Sequence, residues 1–583
     1  MRLRWSTIVM TFVLAACTTA TDSTEVTDQT TVSIAIDTAS TVPASTTTST
    51  AVPDTTTTTE ATLIVEPVPF DGLALPTTAG SHFSTSGACA SCHTNMFDNS
   101  GDDVSIDSTW RSSMMANAAR DPYWLATVQS EAAANPELAA VIEDKCSICH
   151  MPMARTTDAF SAQGGVMFGD GYLNSDNEMH VLATDGVSCT VCHQIDPANL
   201  GTVESFSGGF LIDPATSQGE RVTYGPFPAS RQAVEIMQGV SGFIPAEGRH
   251  IQESQVCGTC HTLYTPFVDS AGAVAGLFPE QTALLELEAG NVNRSCQSCH
   301  MPIIAGQVEV STIAGEPRSD VNRHLFVGGN EYMMSVFSLF GEDLELTASS
   351  DQVMATRAGV RDQLSTDTAT IALSAVDLEA HNLGVTVYVH NATGHKLPTG
   401  YPSRRVWIHL RVLDRNGDSV FESGAWQSNG AIVGNDNDTD PTRYEPHYDS
   451  ITSADQVQVY ETILANTDGD VTTTLLRGAE YAKDNRLLPQ GFDKLAVPAD
   501  IGVFGAALDD ASFGGAGDEV AYRIEVDPNL GPFTIEAELL YQSVSYRWAE
   551  NLDPDDGSFI EDFKGYYEAV PNVPSIIART TSP

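Results

Sequence analysis

Ten of the eleven cysteines stand in five copies of one pattern, Cys-x-x-Cys-His. The two thiols of a copy lie about one helical turn apart, so both can add to one porphyrin while the adjacent histidine ligates its iron. The pattern therefore predicts five covalently attached haem c groups. The attachment cysteines are Cys89, Cys92, Cys146, Cys149, Cys189, Cys192, Cys257, Cys260, Cys296 and Cys299, and the proximal histidines are His93, His150, His193, His261 and His300.

Two other uses of paired cysteines fit these copies less well. Zinc ribbons combine two Cys-x-x-Cys units in one site and do not require a histidine after each, and five units would leave one unmatched. A disulfide within a Cys-x-x-Cys pair closes a strained ring, which suits redox exchange better than structural cross-linking. Since five copies use every cysteine except Cys17, the haem interpretation is favoured.

Each haem iron either binds a ligand on its distal face or leaves that face open. The histidines of this region outside the motifs are His82, His180, His250 and His324, one fewer than the five irons. The stretch 108–119 is expected to be helical and offers Met115, because a Met thioether can be an axial haem ligand. Its neighbour Met114 is a second candidate, or packs against Trp110 four residues earlier. The sequence does not indicate which residue serves which haem.

Residues 80–329 resemble the exported multihaem cytochromes c, the group that includes the tetrahaem carriers of nitrification and the relatives of hydroxylamine oxidoreductase. The resemblance rests on the five motifs, on Gly186-Val187-Ser188-Cys189 and on Trp110-Arg111-Ser112-Ser113-Met114-Met115. In that family a W-x-x-S-x-H stretch commonly provides a distal histidine, and here Met115 occupies the histidine position. The resemblance thus implies either His/Met ligation at one haem or the loss of that ligand.

The composition changes after Leu346, and no cysteine follows. A connecting helix is expected over Ser349–Leu364, and the alternating segments beyond it predict a β-sandwich of short strands. We therefore expect an α+β protein, with a mainly helical or irregular multihaem cytochrome c domain followed by a β-sandwich module. The expected strands are Leu383–His390, Arg405–Leu413, Val457–Leu464, Val520–Val526 and Phe533–Tyr541.

Two features of this β-rich module bear on ligand binding. The Gly/Pro loop 391–400 resembles a G-H-x-x-P-T-G loop of the family's relatives, which implies that His395 can reach a haem; a purely structural role is the alternative. Asp436, Asp438 and Asp440 form an alternating acidic run that could bind Ca²⁺ through carboxylate oxygens. Pro441 excludes an EF-hand loop, and a solvated acidic loop is the favoured interpretation.

The N-terminus indicates export. A positive segment and a short apolar run end in Leu14-Ala15-Ala16-Cys17, which resembles a bacterial lipobox and implies a lipid on Cys17. An ordinary signal peptide is the alternative. The Thr-rich segment after it lacks Lys, Arg and aromatic residues and is expected to be a disordered stalk. The expected organisation is a signal peptide (1–16), a stalk (17–66), a pentahaem domain (67–346), a connecting helix (347–368), a β-sandwich (369–548) and a tail (549–583).

The net charge of −48, from 28 basic and 76 acidic side chains, excludes nucleic acid as a natural partner. It favours a redox partner protein with a basic or neutral docking face. We therefore predict an electron carrier, exported and lipid-anchored to the outer face of the cell membrane, with no catalytic residue. The alternative is a multihaem reductase or oxidase of a small nitrogen or sulfur compound, which would need one open iron. The C-x-x-C-K motif that often marks such an iron in pentahaem nitrite reductases is absent.

Overall fold

The computed structural model describes residues 67–515, 517–552 and 556–582. The predicted signal peptide, Cys17 and the predicted stalk lie outside these residues. The α-helices are α1 (Ser86–Ala90), α2 (Ile106–Arg111), α3 (Pro122–Ala134), α4 (Ala139–His150), α5 (Pro152–Phe160), α6 (His180–Thr184), α7 (Cys189–Cys192), α8 (Arg231–Ser241), α9 (Ser254–His261), α10 (Ala283–Ala289), α11 (Cys296–His300), α12 (Glu331–Phe340), α13 (Ser350–Asp367), α14 (Asp436–Thr439), α15 (Tyr546–Glu550) and α16 (Ser558–Ala569).

Strands are few before residue 369 and dominate after it. They are β1 (Arg221–Gly225), β2 (Phe243–Glu247), β3 (Thr262–Val268), β4 (Val274–Thr282), β5 (Val308–Glu309), β6 (Pro317–Arg318), β7 (Ala369–Glu379), β8 (Asn382–Asn391), β9 (Arg405–Leu413), β10 (Ser419–Ser423), β11 (Ser450–Ile451), β12 (Val459–Ala465), β13 (Val471–Thr472), β14 (Glu480–Asp484), β15 (Asp518–Glu525), β16 (Thr534–Gln542) and β17 (Ser575–Thr581). The chain therefore has the α+β fold expected from its sequence.

Two sheets form the C-terminal part. One has the strand order β13-β12-β9-β16-β17, with β10 added beside β9 and β14 beside β12, and the other has the order β11-β15-β8-β7. Alternate side chains of the central strands point into one shared core, as in Val387 on β8 and Ile408 on β9, which are both fully buried. Helices α12, α13 and α16 complete that core, to which α12 contributes the fully buried Phe337.

The five strands expected from alternation all overlap observed strands, and no end differs by more than two residues. The expected connecting helix corresponds to α13, which a capping box starts: Ser349 Oγ accepts from the Gln352 backbone N–H and the Gln352 side chain accepts from Ser349. Residues 549–583, expected to be a tail, contain α16 and β17, and β17 pairs with β16.

The N-terminal part is held together differently. Its buried apolar side chains form smaller clusters, one around Phe83, Leu125 and Met151 and another around Met96 and Ile304. Short helices surround a large cavity instead of closing on a continuous core. Among the described residues, no helix combines the length and apolarity needed to cross a bilayer.

Candidate haem-binding site

The five Cys-x-x-Cys-His motifs converge on one cavity of about 2350 Å³. A typical small-molecule site is about 300–1,000 Å³, so the volume suits several large ligands. The motif helices α1, α4, α7, α9 and α11 bring all ten motif cysteines and all five motif histidines to its wall. The ten thiols are free. This donor set fits covalently attached haem, which needs two thiols and one imidazole at each site.

Four of the motif histidines are held by a backbone carbonyl. A carbonyl oxygen can only accept, so Nδ1 carries the proton and Nε2 keeps a free lone pair that can bind iron. The bonds run from His93 to Val310 O (2.5 Å), His150 to Ala118 O (3.0 Å), His193 to Tyr224 O (2.5 Å) and His300 to Val327 O (2.5 Å). Burial also lowers the pKa of His150 and of His261 to about 4, which keeps both rings neutral.

Two motif histidines face a second histidine across a gap. The His193 and His324 ring centroids lie 6.4 Å apart with 19° between the planes, and those of His300 and His395 lie 6.3 Å apart with 10° between them. Two imidazoles bound to one metal from opposite sides, each at about 2.0–2.1 Å, would place their centroids about 6.2–6.4 Å apart. His324 and His395 also direct Nδ1 to backbone carbonyls, of Asn322 and Lys396. Both pairs therefore have the spacing and the free Nε2 atoms of axial iron ligands.

The other predicted distal histidines do not line the cavity. His82 Nε2 contacts Pro214 O at 3.4 Å, and His250 Nε2 contacts Ile195 O at 3.0 Å. His180 resembles the motif histidines more closely, because its Nδ1 donates to Tyr172 O at 2.9 Å and leaves Nε2 free. Met115 and Met114 both lie on the cavity wall. Their roles as distal ligands stay predictions.

The acidic residues proposed for Ca²⁺ turn to separate partners. Both carboxylate oxygens of Asp438 accept hydrogen bonds from the Arg405 guanidinium, at 2.8 and 3.0 Å, and this ion pair is almost fully buried. Asp436 pairs with Arg443, and Asp440 caps its own turn through Thr442. The three carboxylates therefore do not converge on a common cation position.

One other cluster in the described residues has metal-ligand composition: His447, Asp510 and Asp518. Gln458 Nε2 and Asn485 Nδ2 both donate to His447 Nδ1, at 2.9 and 3.1 Å. The amide oxygens are occupied by backbone N–H groups of Tyr448 and Glu461, so neither amide can be reversed. His447 Nδ1 must therefore accept, which puts the proton on Nε2, where it donates to Asp510 at 3.1 Å. A metal at Nε2 would have to displace that proton and create an imidazolate, so the cluster is structural.

Several cavity residues gave no motif signal in the sequence. The Trp124 indole stacks on the His150 ring, with centroids 4.0 Å apart and planes within 2°. Glu131 and Glu280 are buried carboxylates on the cavity wall, and Glu131 Oε2 has no hydrogen-bond partner in the described structure. Burial raises the pKa of Glu131 to about 7. Aromatic and acidic residues are so common on amphipathic elements that one sequence does not indicate which of them line a cavity.

Cysteines of different motifs also meet in the cavity. The thiol of Cys89 lies beside that of Cys189, which brings the first and third motifs together. In the same way the second motif meets the fourth, through Cys149 and Cys260, and the fourth meets the fifth, through Cys257 and Cys296. Cys192 of the third motif lies within electrostatic range of Cys260. The five motifs therefore form one connected group.

Comparison with known proteins adds one structural neighbour. No family model and no curated protein sequence matches the chain. A solved structure, the penta-heme cytochrome c552 from Thermochromatium tepidum, aligns with 86% of this chain and 99% of its own, at 15% identity and a TM-score of 0.47. A likeness of this size supports no conclusion about this chain.

Proposed function

We propose that the protein is an exported pentahaem c-type cytochrome that carries electrons between redox partners. The observation that carries the proposal is the convergence of five complete Cys-x-x-Cys-His motifs on one cavity. Each motif offers two free thiols, and four of the five histidines have Nδ1 bonded to a carbonyl. Haem supplies one-electron redox chemistry when bound, and the protein supplies attachment, ligation and a buried environment.

The two facing histidine pairs support specific distal ligands. We assign His324 to the haem of the third motif and His395 to the haem of the fifth, because each ring faces the motif histidine across a gap of the required size. Burial lowers the pKa of His324 to about 3, so its imidazole is neutral and available as a donor. Two neutral imidazoles on one iron favour a low-spin, six-coordinate site suited to electron transfer.

The contacts between motifs support transfer along a continuous series of cofactors. Neighbouring thiols link the first motif to the third, and the fourth to both the second and the fifth. Cys192 and Cys260 bring the third motif near the fourth. Each attached porphyrin would therefore have at least one neighbour, and no haem would be isolated.

Lipid anchoring through Cys17 and export belong to the same proposal and rest on the lipobox-like sequence. The net charge of −48 favours docking to a basic or neutral face, with an association rate that falls as salt increases. Cys17→Ser should release the protein from the membrane fraction without changing its haem content. Retention in that fraction after a high-salt wash would exclude the lipid anchor.

A reductase or oxidase is the second candidate function. In the described residues, His93, His150 and His261 face no second histidine ring in the manner of the two pairs. The haem iron of one of these three motifs would then be open, in the cavity that the buried acids Glu131 and Glu280 also line.

Two measurements test the proposal. The intact mass of the mature protein should exceed that of the polypeptide by five haems, and denaturation should not release them. A smaller excess would exclude haem attachment at the unoccupied motif. Low-temperature magnetic spectra of the oxidised protein should then show only low-spin irons for a carrier. A high-spin iron that binds nitrite or hydroxylamine would replace the carrier function with the enzymatic one.

A further inference from the structure

Four charged side chains are buried beside the loop that carries His395. Lys396 Nζ donates to Asp484 at 2.7 Å, and Arg486 bridges Asp484 at 2.8 Å and Glu286 at 3.0 Å. None of the four is more than 5% exposed. Their formal charges cancel, and burying them costs much of what their attraction returns. Apolar residues could stabilise the fold equally well. The contacts that this network makes with its surroundings therefore indicate its role.

The network holds the backbone of the loop. Glu286 Oε2 accepts from the Lys396 backbone N–H at 3.1 Å and from Thr399 Oγ1 at 2.7 Å. Glu286 lies on α10, the helix before the fifth motif, whereas Asp484 and Arg486 belong to the β-rich part. The network therefore joins the element that leads into the fifth motif to the loop that carries its facing histidine.

Neighbouring side chains on this loop point in opposite directions. Lys396 is absent from the cavity wall, because its side chain runs to Asp484 and to the carbonyl of Gly502. His395 lines the cavity and faces His300. His395 lies in a bend directly before Lys396, so anchoring both the backbone N–H and the side chain of Lys396 restricts the orientations open to its neighbour. The anchored Lys396 thus limits the directions that the His395 ring can take.

We infer that Glu286, Arg486, Asp484 and Lys396 are positioning residues that hold His395 opposite His300. The inference rests on the proposed function, since it concerns the distal ligand of the fifth haem. None of the four is expected to touch the iron. Weakening the network should let the loop turn, so that His395 spends part of its time away from the axial position.

Glu286→Gln is the main test variant, because it keeps the shape of the side chain and removes the charge that holds both the loop and Arg486. In the purified haem-loaded protein, we expect up to one iron in five to lose its low-spin signal. We also expect carbon monoxide, which needs a vacant position on ferrous iron, to bind one haem about tenfold faster. Thr399→Val removes a single contact and should act in the same direction with a smaller effect.

Glu461→Gln is the matched control. Glu461 forms a similar buried pair with Lys483 at 3.1 Å in the same part of the protein, without contacting the His395 loop. It should lower thermal stability and leave the spectra and carbon monoxide binding unchanged. The inference is overturned if Glu286→Gln and Thr399→Val lower stability as this control does and leave the spectra intact.

His395→Ala separates this inference from the proposed function. If it opens one iron and Glu286→Gln does not, the ligand assignment stands and the positioning role is excluded. If His395→Ala leaves every iron low-spin, the assignment of His395 itself is wrong and the positioning role fails with it.

Discussion

The pairing of His193 with His324 leads to a chemical rescue experiment. Their centroids lie 6.4 Å apart, which matches the separation of about 6.2–6.4 Å for two imidazoles on one metal. His324→Gly should therefore open one iron of five, and the ferric low-spin signal should fall by one fifth. The vacated space has the size of the lost ring, so free imidazole added to the oxidised variant should restore the signal.

The assay is a magnetic spectrum with and without imidazole, on protein whose five haems have been counted by mass. His381→Gly is the control, because His381 lies exposed in the turn between β7 and β8 and should leave the spectrum unchanged. A His324→Gly variant that keeps all five irons low-spin without imidazole would refute the assignment. So would an opened iron that imidazole fails to restore, since the distal space would then differ from that expected for a histidine ring.

Three further predictions concern protonation and packing. Burial raises the pKa of Asp518 to about 7, so the stability it contributes is present below about pH 4 and is lost as the pH rises through about 7. Between about pH 5 and pH 8 the free energy of unfolding should therefore fall by about 3 kcal/mol, since about two pH units of that range lie below the pKa of the folded state. Asp518→Asn should remove this fall in urea titrations at the two pH values, and a variant that keeps the wild-type difference would contradict the prediction. Glu131 has a pKa of about 7 and lies on the cavity wall, so the negative charge it gains as the pH rises should lower the reduction potential of one haem. Glu131→Gln should remove this pH dependence of the potential in redox titrations at two pH values. Phe337 is fully buried in the main core, so Phe337→Ala should lower the free energy of unfolding by about 3–5 kcal/mol in the same urea titrations, and a loss below about 1 kcal/mol would contradict its role.

The attachment chemistry could be predicted from sequence because it is local. Two cysteines and a histidine must lie within five residues to serve one porphyrin, so the pattern survives any change in the rest of the fold. The strands were predictable for a similar reason: β9, at Arg405–Leu413, matches its expected bounds because alternation of side chains is a local property. Edge strand β7 was harder, since most of its second half is exposed and lacks alternation.

The distal ligands could not be assigned in this way. His324 faces His193 and His395 faces His300 only after long segments have folded between them. No sequence pattern around a single histidine identifies the iron that it binds. From the sequence, His82 and His250 were as suitable as His324 for the role of distal ligand. The buried network around Glu286 was also invisible, since ion pairs between distant segments leave no regular spacing.

The contacts between thiols of different motifs have a consequence for biogenesis. Cys89 and Cys189 come from distant parts of the chain and meet only when the protein has folded, as do Cys149 and Cys260. In an exported protein, as proposed for this chain, two unattached thiols that meet in this way are readily oxidised to a disulfide. A chain that folded before haem attachment would trap cross-links between motifs, and each would block two attachment sites. We therefore expect haem attachment to precede the folding that brings these motifs together.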